Sequence, residues 1–182
     1  MILCLTATYQ ALFIPNGNNF LFIIGWKSPY PPTILLYYIF FKCQINFWKN
    51  LKNFSQKDDI ITINFASTLS KYSEVSLTIN YERKTFNENW GGVHWSADYV
   101  YNLGVGFDSK PHNLGKTWFP CIDNFSDKAS YDLYITIPEA MTSSCGGILS
   151  GSVNNDNGTK TDHWIVNQEI PTYLMSFAFG NF

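Results

Sequence analysis

The sequence predicts an all-β domain, an antiparallel β-sandwich behind an apolar N-terminal extension, and three observations carry that prediction. Apolar and polar residues alternate in stretch after stretch. No long run places apolar residues at i, i+3 and i+4, the spacing a helix needs. Clusters of Gly, Pro, Asn and Asp divide the alternating stretches into roughly six to eight strands joined by short turns.

Residues 1–52 form a block of Ile, Phe, Tyr, Leu, Asn and Lys broken by PNGNN and SPYPP, with neither alternation nor helical spacing. They are read as an unassigned apolar extension, or as sequence foreign to the domain that follows over 53–182. In DIITINF, Ile61, Ile63 and Phe65 alternate with Thr62 and Asn64; in EVSLTINY, Val75, Leu77, Ile79 and Tyr81 alternate with Ser76, Thr78 and Asn80. Both are expected to be half-buried strands. TFNENWGG is expected as a loop, and DYVYNL as a strand with Tyr99, Tyr101 and Leu103 on one face.

After a Pro- and Gly-containing segment, KASYDLYITIP is the clearest strand, with Ala129, Tyr131, Leu133, Ile135 and Ile137 sharing a face. The residues of NNDNG tolerate positive φ, so GILSGSV and TKTDHWIVN are expected to pair as a hairpin around it. TYLMSFAFGNF, apolar on both faces, reads as an interior strand. With 182 residues, 46% hydrophobic and 18% aromatic, the chain can build one sizeable domain, or one domain plus an extension.

Charge excludes one class of function. Charged residues make up 14%, the net charge is −2 and Arg83 is the sole arginine, so no basic footprint for nucleic acid exists. The opening run MILCLTATYQALFIP lacks the basic start of a secretory signal, and TILLYYIFF falls short of the roughly 20 residues that span a bilayer. Neither is a convincing targeting segment, a membrane-proximal or export role for residues 1–50 is the minor alternative, and no compartment follows. The four cysteines, Cys4, Cys43, Cys121 and Cys145, contain no CxxC pair; reduced, mostly buried thiols are the default, and the even count permits disulfides.

Zinc hydrolysis would need a pattern such as HExxH, and His94, His112 and His163 do not supply it. A nucleophile built from Cys121 and His112 is conceivable, but Asp123 would raise the thiol pKa. In the structural reading of KTWFPCID, Pro120 fixes φ, Trp118 and Phe119 point to opposite sides of an extended segment, and Cys121 fills a small apolar gap. The carboxylate pairs Asp58/Asp59 and Asp123/Asp127 lack calcium-loop spacing. Trp90 and Trp95 could line a sugar-binding surface, although most aromatics must be core. Asn53, Asn124 and Asn157 begin glycosylation triplets that carry little information without evidence of secretion.

Taken in order, NLGVGFDSKPHNLGKTWFPCIDNFSDKASYDLYITIP and, later, IPTYLMSFAFGNF resemble the N-terminal β domain of zinc metallo-aminopeptidases of the aminopeptidase N type, in a bacterial-like variant. The resemblance rests on Trp118, Phe119, Pro120, Cys121 and Asp123, on Lys128, Ala129 and Tyr131, and on Pro171, Thr172, Tyr173 and Leu174. It implies a saddle of β-sheets packed against a thermolysin-like catalytic domain, with peptide as substrate of the full-length enzyme. That catalytic domain would hold the zinc, the HExxH helix and the GxMEN strand; none of these motifs occurs here. The resemblance therefore implies a fragment, ending before the catalytic domain, that binds no cofactor and is inactive alone.

One contribution to the substrate site is implied. The family often carries a Gln-x-Glu pair ahead of the FPC element, and alignment sets Gly106, Phe107 and Asp108 there, which leaves Asp108 as the substrate-binding candidate. A face built to be covered would promote self-association when bare, each uncovered large aromatic forfeiting about 2 to 3 kcal/mol of burial. The alternative of another class is a stand-alone, non-catalytic β-sandwich module that binds a peptide or glycan.

Overall fold

Alternation is realised as strands along most of the chain. The computed structural model describes residues 53–57, 59–66 and 86–182 in full, together with the backbone of strand segments at 9–11, 13–14, 19–20, 33–37, 41–46, 51–52 and 75–83. In chain order the first strands are β1 (Tyr9–Ala11), β2 (Phe13–Ile14), β3 (Asn19–Phe20), β4 (Thr33–Tyr37), β5 (Phe41–Asn46), β6 (Leu51–Lys57), β7 (Ile60–Phe65) and β8 (Val75–Arg83). They are followed by β9 (Asn87–Glu88), β10 (Gly91–Trp95), β11 (Tyr99–Leu103), β12 (Lys128–Pro138), β13 (Thr142–Cys145), β14 (Ile148–Asn154), β15 (Thr159–Pro171) and β16 (Phe177–Gly180). Two 3₁₀ turns, Gly115–Thr117 and Thr172–Leu174, are the only helical elements among the described residues.

Every strand pair among the described residues is antiparallel. The largest sheet has the order β13-β16-β11-β10-β9, and three-stranded sheets run β12-β15-β14, β4-β7-β6 and β1-β8-β5 beside the β2-β3 pair. The all-β expectation holds, and the segment read as an irregular extension contains β1 to β5. The side chains of EVSLTINY, like Cys4, Cys43 and Asp58, lie outside the described residues.

The core forms where the apolar faces meet. Ile61, Ile63 and Phe65 of β7 join Ala129, Tyr131, Leu133, Ile135 and Ile137 of β12 and Phe177 and Phe179 of β16 in one buried cluster. Each fully buried large apolar side chain contributes about 1.5 to 3 kcal/mol, which is why strict alternation in β7 and β12 fixes their register. At the β14–β15 hairpin, Asp156 and Gly158 adopt positive φ, and the Asn155 N–H closes the turn on Thr159 O at 2.9 Å. The interior placement of the last strand also holds, since β16 lies between β13 and β11.

Three segments hold more than the sequence indicated. In β11 Tyr99, Tyr101 and Leu103 share a face as expected, and the opposite, buried face carries Val100 and Asn102. A polar residue can stand there because Asn102 is satisfied inside: its Nδ2 donates to Met175 O at 3.2 Å and its Oδ1 accepts from the Phe177 N–H at 2.6 Å. The expected loop TFNENWGG instead enters a hairpin, β9 pairing with β10. Gly91 is buried there, and a Cβ on it would stand 2.7 Å from Gly106 Cα, so close packing demands a residue with low strand propensity. Finally, β13 had no sequence signal; its inward Ser143 hydroxyl is bonded to the buried Asp162 carboxylate at 2.5 Å.

Candidate functional site

The FPC element follows the Gly115–Thr117 turn and runs into the core. Trp118, Phe119, Cys121 and Ile122 are all buried. Trp118 and Phe119, expected on opposite sides of an extended segment, have ring centroids 4.4 Å apart. The reason is local: Trp118, at φ −131 and ψ −18, is still leaving the 3₁₀ turn and not yet in strand geometry. The Trp118 ring meets Phe177 edge-on at 5.0 Å, and Phe119 meets Tyr131 at 6.5 Å, so both aromatics serve the same core.

Cys121 has 0% exposure, and burial, then the Asp123 carboxylate, pushes its thiol well above the ordinary range. His112 is exposed and commits Nδ1 to Gly106 O at 2.8 Å, so it is not poised as a base for that thiol. His94 Nε2 donates to Gly91 O at 3.0 Å while its ring stacks on Tyr101. His163 pairs with Asp132 at 2.6 Å under the Tyr134 ring. Among the described residues no three His, Cys, Asp or Glu side chains converge as a metal site requires.

Asp123 organises the signature. Its Oδ2 accepts from the Lys116 N–H at 3.2 Å and lies 3.4 Å from Lys116 Nζ, and its Oδ1 accepts from Thr172 Oγ1 at 3.0 Å. The Asn113 amide donates to the Asp123 backbone carbonyl. The buried carboxylate thus ties the FPC element to the 3₁₀ turn that carries Tyr173. Tyr173 itself packs edge-on against Phe125 at 5.1 Å, and a Cβ at Gly104 would overlap the Tyr173 carbonyl oxygen. Thr172, Lys116 and Asn113 were not singled out as individual site residues, although Thr172 stands inside the TYL motif.

Asp108 sits elsewhere, in the bend that connects Val105 to Asn113, where those two residues form an isolated bridge. It is exposed, and its neighbour Phe107, 71% exposed, meets the ring of Trp90, 63% exposed, edge-on at 6.1 Å. Beneath them, Glu88 at the end of β9 accepts the Asp108 N–H at 2.9 Å and the Ser109 hydroxyl at 2.5 Å. The Ser109 hydroxyl, aided by backbone N–H groups of the same bend, holds the Glu88 carboxyl below its ordinary range. Glu88 gave no signal in the sequence, because its partners are about 20 residues away and only the hairpin brings them together.

The arrangement thus offers a buried structural anchor and a separate exposed surface of two aromatic rings beside a carboxylate. Comparison with known proteins bears on the family and the fold. The family model of the peptidase M1 N-terminal domain matches residues 45–174. An M1 zinc metallopeptidase from Deinococcus radiodurans has the same fold, with a TM-score of 0.71 and 21% identity over 86% of this chain and 36% of its own. Transcription initiation factor TFIID subunit 2 of Drosophila melanogaster is 34% identical over 71 residues, 38% of this chain, and aminopeptidase B of Rattus norvegicus is 26% identical over 99 residues, 50% of it. The chain spans only 6% and 14% of the lengths of those two relatives.

Proposed function

Because the chain belongs to the peptidase M1 N-terminal domain family, we propose that it flanks the peptide entrance of a zinc aminopeptidase and shapes that entrance without supplying the chemistry. The family match over residues 45–174 is the observation that carries this reading. The donor set of the described residues does not fit zinc, so metal, general base and peptide-bond hydrolysis are assigned to a thermolysin-like catalytic domain as partner. Asp108, exposed beside Phe107 and Trp90, is the group this chain would turn toward the first residue of a peptide. Exposed Ile148, Val153 and Tyr134, on the outer face of the β12-β15-β14 sheet, support a domain that works with one side covered.

The test is direct. The purified chain, given aminoacyl-coumarin substrates with and without added zinc, is expected to release no fluorophore; saturable, zinc-dependent release overturns the reading. Coding sequence in frame after Phe182 that contains GxMEN and HExxH would support it further. A second reading, a non-catalytic binding module, is favoured by one observation: identity is higher to the Drosophila TFIID subunit 2, at 34%, than to the rat aminopeptidase B, at 26%. Unrelated sequence after Phe182 would favour the module.

A further inference from the structure

We infer that Glu88 is a positioning residue for the peptide-facing loop, a carboxylate clamp that holds the Asp108 bend in a single conformation. The inference deepens the entrance role proposed above and rests on it for the identity of the ligand. Both carboxylate oxygens of Glu88 are engaged with the bend, Oε1 by the Asp108 N–H at 2.9 Å and Oε2 by the Ser109 hydroxyl at 2.5 Å. Hydrogen bonds to an ionised acceptor are about twice as strong as neutral ones, and a two-point attachment also fixes orientation. Without it, the Asp108–Ser109 tip of the bend would lose both of these bonds.

The same geometry explains Gly106. A Cβ built there collides with Glu88 Oε1 and comes within 2.6 Å of Leu114 Cδ1. A side chain at 106 and the Glu88 carboxylate exclude one another, so glycine at this position and glutamate at 88 form a matched pair. The remaining supports are in place around them. Gly106 N–H donates to His112 O at 2.8 Å, His112 Nδ1 returns a bond to Gly106 O at 2.8 Å, and Trp90 braces Phe107 from the β9–β10 turn. Together they present Asp108 on a preorganised surface, which lowers the ordering cost of binding a peptide.

The experiment uses the full chain labelled with ¹⁵N. Glu88→Ala is expected to raise hydrogen exchange at the Asp108 amide about tenfold, the loss of one charge-assisted bond. Glu88→Gln, which keeps an acceptor of the same reach, should recover most of the protection. In the wild type the Ser109 amide shift should include a titration step below the ordinary glutamate value, and Glu88→Gln should remove that step while leaving those of the neighbouring groups. The other titratable groups on the loop, Asp108, Lys110 and His112, are read through their own side-chain resonances.

Gly106→Ala should reproduce Glu88→Ala, with no further effect in the double variant. Asp108 exchange within about twofold of wild type in Glu88→Ala overturns the clamp, and so does the lowered step at Ser109 persisting unchanged in Glu88→Gln, which decides the matter should the alanine variant fail to fold. Addition of the tripeptide Tyr-Ser-Ala separates the two readings. Shifts at Phe107 and Asp108 support the entrance role, whereas an intact clamp with no shift at either residue overturns that role alone.

Discussion

Thr172 Oγ1 donates a 3.0 Å hydrogen bond to Asp123 Oδ1, joining two sequence motifs that stand 49 residues apart. Both partners are buried, and the second carboxylate oxygen is held by the Lys116 N–H and ammonium. Asp123→Ala removes the acceptor of the buried Thr172 hydroxyl and of the Lys116 N–H, and is expected to cost about 2 to 4 kcal/mol. Thr172→Val removes one neutral donor and should cost about 1 kcal/mol. Because the two share a bond, the double variant should fall short of the sum, as a double-mutant cycle in urea would measure.

How much of this was legible in the sequence depends on which contacts each residue makes. β12 could be read because Ala129 to Ile137 alternate and every inward residue is apolar. The inward face of β11 was not legible, because it carries Asn102, a polar residue repaid inside by Met175 O and the Phe177 N–H. β10 was hidden by glycines whose purpose is close packing. For the site, Asp123 stood out as part of a motif, but Glu88 did not: its role arises from a loop that folding brings over it, and no local periodicity encodes that.

Gly104 tests the same junction from the other side. A Cβ there would overlap the backbone carbonyl of Tyr173, and backbone cannot yield as a flexible side chain can. Gly104→Ala is expected to destabilise the domain by about 3 kcal/mol or more, in the range of overpacking at a rigid contact. A change below about 0.5 kcal/mol, the scale of a neutral surface substitution, would contradict the close approach.

Cys121 should behave as core and not as a reactive thiol. Its thiol is pushed well above the ordinary range by burial, and partly buried Cys145 is pushed up to about 12. Alkylation at pH 8 followed by peptide mapping is expected to leave Cys121 unmodified in the native protein and to modify it fully in guanidinium. Cys121→Ser should cost more than Cys121→Ala, because a buried hydroxyl adds a desolvation penalty of about 1 to 3 kcal/mol.

Asp127 gives a pH dependence whose sign is opposite to that of a paired carboxylate. Burial raises its carboxyl from 3.8 to about 7, so between these values the folded chain holds a proton that the unfolded chain has released. Stability contributed by this group therefore falls as pH rises from about 4 to 7 and stays at its lowest above that. Asp127→Asn, which mimics the protonated form, should stabilise the protein at pH 8, by at most about 4 kcal/mol, and flatten the profile. Equal stability of the two proteins at pH 8 would show that the carboxylate is solvated there.

The β14 edge predicts association of the chain with itself. Among the described residues Ile148 to Asn154 pair only with β15, and every residue of the strand is exposed, Ile148 by 70% and Val153 by 65%. The strand carries neither charge nor proline, two of the devices by which sheets discourage pairing at an open edge. Its bulge between Leu149 and Gly151 interrupts the ladder with β15 but leaves Ile148 and Val153 uncovered. Sedimentation of the purified chain should therefore reveal concentration-dependent oligomers and binding of a hydrophobic dye. Ile148→Lys with Val153→Lys should shift the population toward monomer while changing stability by no more than about 0.5 kcal/mol each, since both side chains leave water only on association. A wild-type chain that sediments as a monomer across the concentration range and binds no dye would show that this surface is inert.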